Sequence, residues 1–219
     1  MTARFLALSL IVCAALASGC QLLGAASYYL GPHRVQPPEY KLPADARVAV
    51  VFESMQPSQQ HPVVIRAIHE RLAKHMKEHK ETQAARLVSF ENTLRVRREP
   101  GFSSWSVQRI GRELDATHVL YVEIEEFRGR MEPEVPVVMP LLKLRFKLIA
   151  TDAEPDKARV WPPERDGREL TMTRPAEDVT DSFGEDRALR KLGYDTAYFL
   201  CAPFIEVDLE SAPPRENDR

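Results

Sequence analysis

The chain has 219 residues, with Lys+Arg of 30 against Asp+Glu of 32, a formal charge of −2 and 44% hydrophobic content. This near-balance excludes a protein that holds nucleic acid through a basic stripe, because neutralising phosphates needs an excess of cations. Two of the three cysteines lie in the first twenty residues, so no disulfide framework is available and the fold must rest on an apolar core.

The chain opens with Arg4 and an apolar run from Phe5 to Ala17. A cationic start, an apolar segment of about 13 residues and small residues at its exit form a secretory signal, whereas a spanning helix needs about 20. The stretch Leu16-Ala17-Ser18-Gly19-Cys20 resembles the lipobox of bacterial lipoproteins. That resemblance implies cleavage before Cys20 and a diacylglycerol on its thiol, with 1–19 as signal peptide. Membrane attachment is then through lipid, and two or three acyl chains hold stably where one does not. Gln21 in place of Asp after the cysteine implies the outer membrane, facing the periplasm. Cys13 leaves with the signal, and Cys201 in Tyr198-Phe199-Leu200-Cys201 reads as a small buried apolar residue.

Residues 20–45 carry the lipidated cysteine and then Gly24, Gly31, Pro32, Pro37, Pro38 and Pro43 with no sustained period, which reads as a semi-rigid tether. Tyr28 and Tyr29 suit either the headgroup level of a membrane or docking on the domain. A single domain follows over 46–210, and 211–219 reads as a disordered tail.

Within the domain, Arg47 to Glu53 is apolar on both faces, as in a central strand. Pro62 fits the first turn of a helix with Ile65, Ile68, Leu72 and Met76 on one face. Ala85 to Phe90 reads as a second strand, and Ser103 or Ser104 as the cap of a helix turning Val107, Ile110 and Leu114 inward. Val48, Val50, Ile65, Ile68, Leu72, Ile110, Leu114, Val122, Phe146 and Leu148 are expected to share one core.

Strict alternation comes next. In Leu120 to Glu125 the even positions are apolar and Glu123 and Glu125 acidic; in Leu142 to Leu148 the even positions are apolar and Lys143, Arg145 and Lys147 basic. An antiparallel hairpin centred near Glu134 places Glu123 opposite Arg145, Glu125 opposite Lys143 and Val122 against Phe146. Arg159 to Trp161 and Glu169 to Met172 flank a turn-rich connector that suggests a further hairpin. A last helix starts between Asp181 and Glu185 and stops at Pro203. The order is strand, helix, strand, helix, three or four strands, helix: an α+β fold with a single mixed sheet and helices packed on it.

Three parts of the chain carry a second resemblance. Val48 to Phe52, the segment Gly111-Arg112-Glu113-Leu114-Asp115-Ala116-Thr117-His118, and Val119 to Ile124 resemble the TolB amino-terminal domain and the curli-secretion lipoprotein family. The resemblance implies a βαβα start, a G-x-x-L-x-A-x-x-V approach to the third strand, and further strands before a closing helix. It brings no functional residue. A pore hairpin of the curli type is not expected, since lipid-facing strands need an apolar outer face and these odd-numbered faces are charged.

Chemistry-bearing residues are sparse. His75 and His79 stand four apart with His69 upstream, but Lys74, Lys77 and Lys80 among them oppose a divalent cation, so a solvated helix face is the expectation. Glu123, Glu125 and Glu126 are better explained by the facing cations than as an acid–base pair. There is no G-x-S-x-G, glycine-rich phosphate loop or cysteine ligand set. No cofactor, metal or nucleic acid is expected. The reading is a lipid-anchored, non-catalytic interaction or assembly module of the cell envelope. Lipid on Cys20 holds the membrane, and an envelope protein is the partner for the face of Glu123, Glu125, Lys143, Arg145 and Lys147. The alternative is an envelope hydrolase whose site is dispersed along the sequence.

Overall fold

Arg47–Glu53 forms strand β1, with Val48 through Phe52 all buried. The computed structural model describes residues 35–54, 56, 60–130, 137–178 and 181–208. The chain divides into two units. Of Met1–Val35 with Asp208–Ser211, only Val35 and Asp208 are described, and everything below concerns Gln36–Val207 of the other. The expected signal peptide, lipobox and disordered tail, the tyrosine pair and the hairpin tip near Glu134 lie outside the described residues.

β1 is followed by helix α1 (Pro62–Glu78), strand β2 (Arg86–Leu87), helix α2 (Phe90–Arg97), a 3-10 turn (Phe102–Ser104) and helix α3 (Val107–Glu113). Strands β3 (His118–Arg130), β4 (Val137–Ala150), β5 (Arg159–Trp161), β6 (Arg168–Thr173) and β7 (Glu177–Asp178) then precede helix α4 (Ser182–Cys201). The sheet runs β2-β1-β3-β4. β1 pairs parallel with β2 and β3, β3 antiparallel with β4, and β5, β6 and β7 each antiparallel along the far edge of β4. The fold is α+β with a mixed sheet. Among the described residues no helix is long and apolar enough to cross a membrane.

Local chemistry sets the helix starts. Pro62 opens α1, where an N–H has no intrahelical partner anyway. Ser89, Ser106 and Asp181 cap α2, α3 and α4 by accepting from the backbone N–H of Asn92, Arg109 and Gly184. Two expectations are corrected here. Only Arg86–Leu87 of the expected second strand is extended, because Ser89 nucleates a helix that the apolar run had hidden. The cap of α3 is Ser106, since Gly101 at φ 76 opens the 3-10 turn of Phe102–Ser104, which brings the Phe102 and Trp105 rings to 5.9 Å in a tilted contact.

The ten expected core residues are all buried, but in two cores. On one face of the sheet Val48, Val50, Val122, Phe146 and Leu148 meet Ile65, Ile68 and Leu72 of α1 and Leu189 and Leu192 of α4. On the other, Ile110 and Leu114 pack with Ala49, Val51, Val96 and Val119. A strand apolar on both faces demands two layers, and α2 with α3 supplies the second. The segment Gly111 to Val119 closes this layer. Asp115 takes φ 51, while the N–H groups of Ala116 and Asp115 bond Gly111 O at 2.9 Å and Arg112 O at 3.0 Å, a Schellman end that turns the chain into β3.

The strands Arg159–Trp161 and Arg168–Thr173 do not pair with each other as expected. They lie in succession along β4, with Trp161 opposite Leu148 and Thr173 opposite Leu141. A 14-residue β4 offers more edge than one short strand covers. Part of the expected tether is packed: Glu39 accepts from both Arg168 nitrogens at 2.6 and 2.7 Å and from Trp161 Nε1 at 3.2 Å, and Leu42 is buried. Cys201 is fully buried and its thiol is pushed up to about 12 by burial, which suits its expected role in the core.

Helices α1 and α4 approach closely at Gly193, where a Cβ would stand 2.7 Å from Ala67 Cβ and 2.9 Å from Val64 O. Alanine is the better helix former by about 1 kcal/mol, but overpacking against backbone costs about 1–3 kcal/mol. Gly193→Ala is therefore expected to lower the urea midpoint at unchanged m-value. A raised midpoint would mean that the two helices are further apart.

Candidate functional site

Alternation along β3 and β4 turns Tyr121, Glu123, Lys143, Arg145 and Lys147 to the face opposite α1 and α4. The second helical layer covers this face over Ala49, Val51 and Val119 but does not extend over the charged rows. What remains is a stretch of open sheet floored by β3, β4 and β6.

Register places Glu123 opposite Arg145 and Val122 opposite Phe146, as the alternation predicts. Beyond Ile124 a bulge shifts the pairing by one, so Glu126 and not Glu125 stands opposite Lys143. Glu125 nevertheless reaches both cations, Arg145 Nε at 2.7 Å and Lys143 Nζ at 3.4 Å. From β6, Glu169 meets the same two groups at 3.7 and 3.1 Å. Hydrogen bonding and proximity to Glu169, then to Glu125, raise the Lys143 ammonium above its ordinary range. Among the described residues Glu123 makes no ion pair. Lys147 lies over the Tyr121 ring at 5.2 Å, and the Tyr121 hydroxyl donates to Glu53 at 2.7 Å, so burial and then that carboxylate raise its pKa.

The structure thus joins Glu125, Lys143 and Arg145 in one network and adds Glu169, Tyr121 and Glu53, which sequence reasoning missed. Glu169 was findable by its parity in Glu169-Leu170-Thr171-Met172, once β6 is paired with β4 and not β5. Chemically the face presents paired charges of both signs on a partly exposed, rigid support. It suits recognition by a complementary row more than proton transfer.

The histidines correct another expectation. His69 and His75 are buried, not solvated. His69 Nε2 lies 3.0 Å from Val88 O, and burial holds its pKa below the ordinary value. His75 packs edge-on against Tyr198 at 5.8 Å; burial first, then Arg71, push it down to about 4 against the weaker pull of Glu78. Helix α1 ends at Glu78 and His79 is already extended, so the spacing of four does not sit on a continuous helix. Among the described residues no three His, Cys, Asp or Glu side chains converge as a metal site would need.

A groove of about 400 Å³ opens at the carboxyl end of β1, walled by Val51, Phe52, Ile65, Phe90, Leu94 and Phe102. Its polar lining is Gln60, Thr93, Arg66 and Arg97. Arg66 lies over the Phe90 ring at 5.2 Å, and Arg97 Nη1 donates to Phe52 O at 3.1 Å.

No family model matches the sequence, and no curated protein matches it either. Solved structures match in outline. The PelC dodecamer from Paraburkholderia phytofirmans is 16% identical, with 78% of this chain and 95% of that chain covered and a TM-score of 0.41. Lipoprotein GNA1162 from Neisseria meningitidis is 10% identical, covering 69% and 98% at 0.39. Protein XCC0632 from Xanthomonas campestris is 13% identical, covering 78% and 90% at 0.35. Likeness at this level assigns no family, partner or activity to this chain.

Two outcomes follow from the geometry. In a double-mutant cycle, Glu125→Gln and Arg145→Gln should couple by about 0.2–1 kcal/mol, more than Glu123→Gln with Arg145→Gln; equal coupling would overturn the pairing of Arg145 with Glu125. For His75, the unfolded chain takes up its proton near pH 6.5 and the folded one only at about 4, so stability is intact above pH 6.5 and falls as pH drops through that window. The loss in denaturant midpoint between about pH 7 and about pH 4.5 should be smaller in His75→Phe than in the parent chain. An equal loss would place the acid sensitivity elsewhere.

Proposed function

We propose that the chain is a lipid-anchored bacterial envelope lipoprotein that works as a non-catalytic interaction or assembly module. Cys20 carries the lipid, the outer membrane is the support and the domain faces the periplasm. The basis for location is Leu16-Ala17-Ser18-Gly19-Cys20 at the end of a short apolar segment. The basis for the role is the open sheet of β3, β4 and β6. Glu125, Lys143, Arg145 and Glu169 form a fixed network on it, with Glu123 and Lys147 alongside. A partner with rows of both signs would be oriented on this face by charge and held by displaced water over the Tyr121 ring.

A hydrolase gains no support from the groove, whose polar lining among the described residues is two arginines, a threonine and a glutamine. General acid–base cleavage needs carboxylates or an imidazole at the reacting bond.

The anchor is tested by Cys20→Ser, which should abolish incorporation of labelled fatty acid while the polypeptide is still made. Lipid label persisting in that variant would overturn the anchor. The face is tested by cross-linking in intact cells from a photoreactive residue at position 123. An adduct that disappears on Arg145→Glu and is unaffected by Arg187→Glu on α4 is the expected outcome. Adducts indifferent to Arg145 would move the interaction off this face.

A further inference from the structure

We propose that the groove at the carboxyl end of β1 binds an anionic single-chain amphiphile, its apolar chain against Phe90 and Leu94 and its head group on Arg66 and Arg97. Charge complementarity carries the argument. Among the described residues the groove lining contains two guanidinium groups and no carboxylate. Among the described residues neither arginine has an ion-pair partner, and the nearest acid on the strand, Glu53, is engaged by the Tyr121 hydroxyl at 2.7 Å. Arg97 is anchored through one N–H on Phe52 O at 3.1 Å, which leaves the rest of its donors for a ligand. Arg66 is steadied over the Phe90 ring at 5.2 Å, at the boundary of apolar wall and water. Cations beside an apolar trough are matched by a molecule with apolar length and a negative end.

The same lining argues for an acyl chain over a peptide. A peptide in the trough brings an N–H and a C=O with every residue, and both need partners. Arginine accepts no hydrogen bonds, so among the described residues only Gln60 and Thr93 offer side-chain acceptors. An acyl chain makes no such demand. The volume of about 400 Å³ lies within the range of about 300–1,000 Å³ typical of small-molecule sites. This site is separate from the charged sheet face.

The test uses the full-length chain carrying Cys20→Ser, so that no attached lipid competes. Three photoreactive probes are compared: a diazirine-bearing palmitate, a diazirine-bearing palmitoyl lysophosphatidate and the neutral monopalmitoylglycerol, with adducts located by mass spectrometry. The expected result is an anionic-probe adduct within 62–66 or 90–102, formed about tenfold more than with the neutral probe and reduced about tenfold by Arg66→Gln, the loss of one charge-assisted contact. Palmitate alone would identify a carboxylate head group, and lysophosphatidate alone a phosphate. Arg66 is on the exposed side of α1, so Arg66→Gln should keep the parent melting curve, and Leu94→Glu gives a second block from the apolar wall. The proposal is overturned by equal labelling with the neutral probe or by adducts confined to other segments such as the apolar leader. Indifference to Arg66→Gln, or displacement by an acidic apolar peptide at a lower concentration than by either lipid, would overturn it too.

Discussion

The antiparallel ladder of β3 and β4 is the constraint on which the rest depends. Val122 opposite Phe146 and Leu120 opposite Leu148 fix which side chains enter the main core, because side chains alternate along both strands. A slip of one residue would exchange Leu142, Leu144, Phe146 and Leu148 for Lys143, Arg145 and Lys147 against α1 and α4. That would place three cations among buried leucines, at a cost far above what any surface pairing returns. The ion pairs on the outer face are consistent with this register but do not impose it, since partly exposed pairs are worth about 0–1 kcal/mol each.

From this ladder follows the unequal covering of the sheet. β1 is buried on both sides, so it needs α1 and α4 on one face and α2 with α3 on the other. β4 alternates, so it needs helices on one face only. The short second layer therefore ends over β1 and the first turns of β3, and the open floor beyond it is where Glu125, Arg145, Lys143 and Glu169 form their network. The length of β4 also explains its far edge, which takes three short strands in succession where one would leave backbone groups exposed.

The groove arises at the opposite side of the sheet for a related reason. β2 pairs with only Arg47 and Val48 before the chain turns into α2, so the later residues of β1 are flanked by a helix instead of a strand. A helix cannot fill the space beside a strand as another strand does, and Phe90, Leu94 and Arg97 line what is left. Arg97 donates to Phe52 O near the end of β1, beyond the reach of β2.

The sequence by itself determined the alternating ladder, the two-sided burial of β1, the inward faces of α1, α3 and α4, and the charged row, because each is a local periodicity that a wrong register would violate within a few residues. It also carried the stretch Leu16-Ala17-Ser18-Gly19-Cys20 that resembles a lipobox, a pattern readable along the chain without any tertiary contact. Only the tertiary structure decided that Ser89 starts a helix within an apolar run and that the core is two cores. It alone showed that β5 and β6 share an edge of β4, that His69 and His75 are buried, and that Arg66 and Arg97 line one groove. The physical reason is that these features depend on which distant segment lies alongside. A bulge after Ile124 or a strand edge left open past Val48 has no signature in the residues that create it, and becomes visible only when the partner strand is in place.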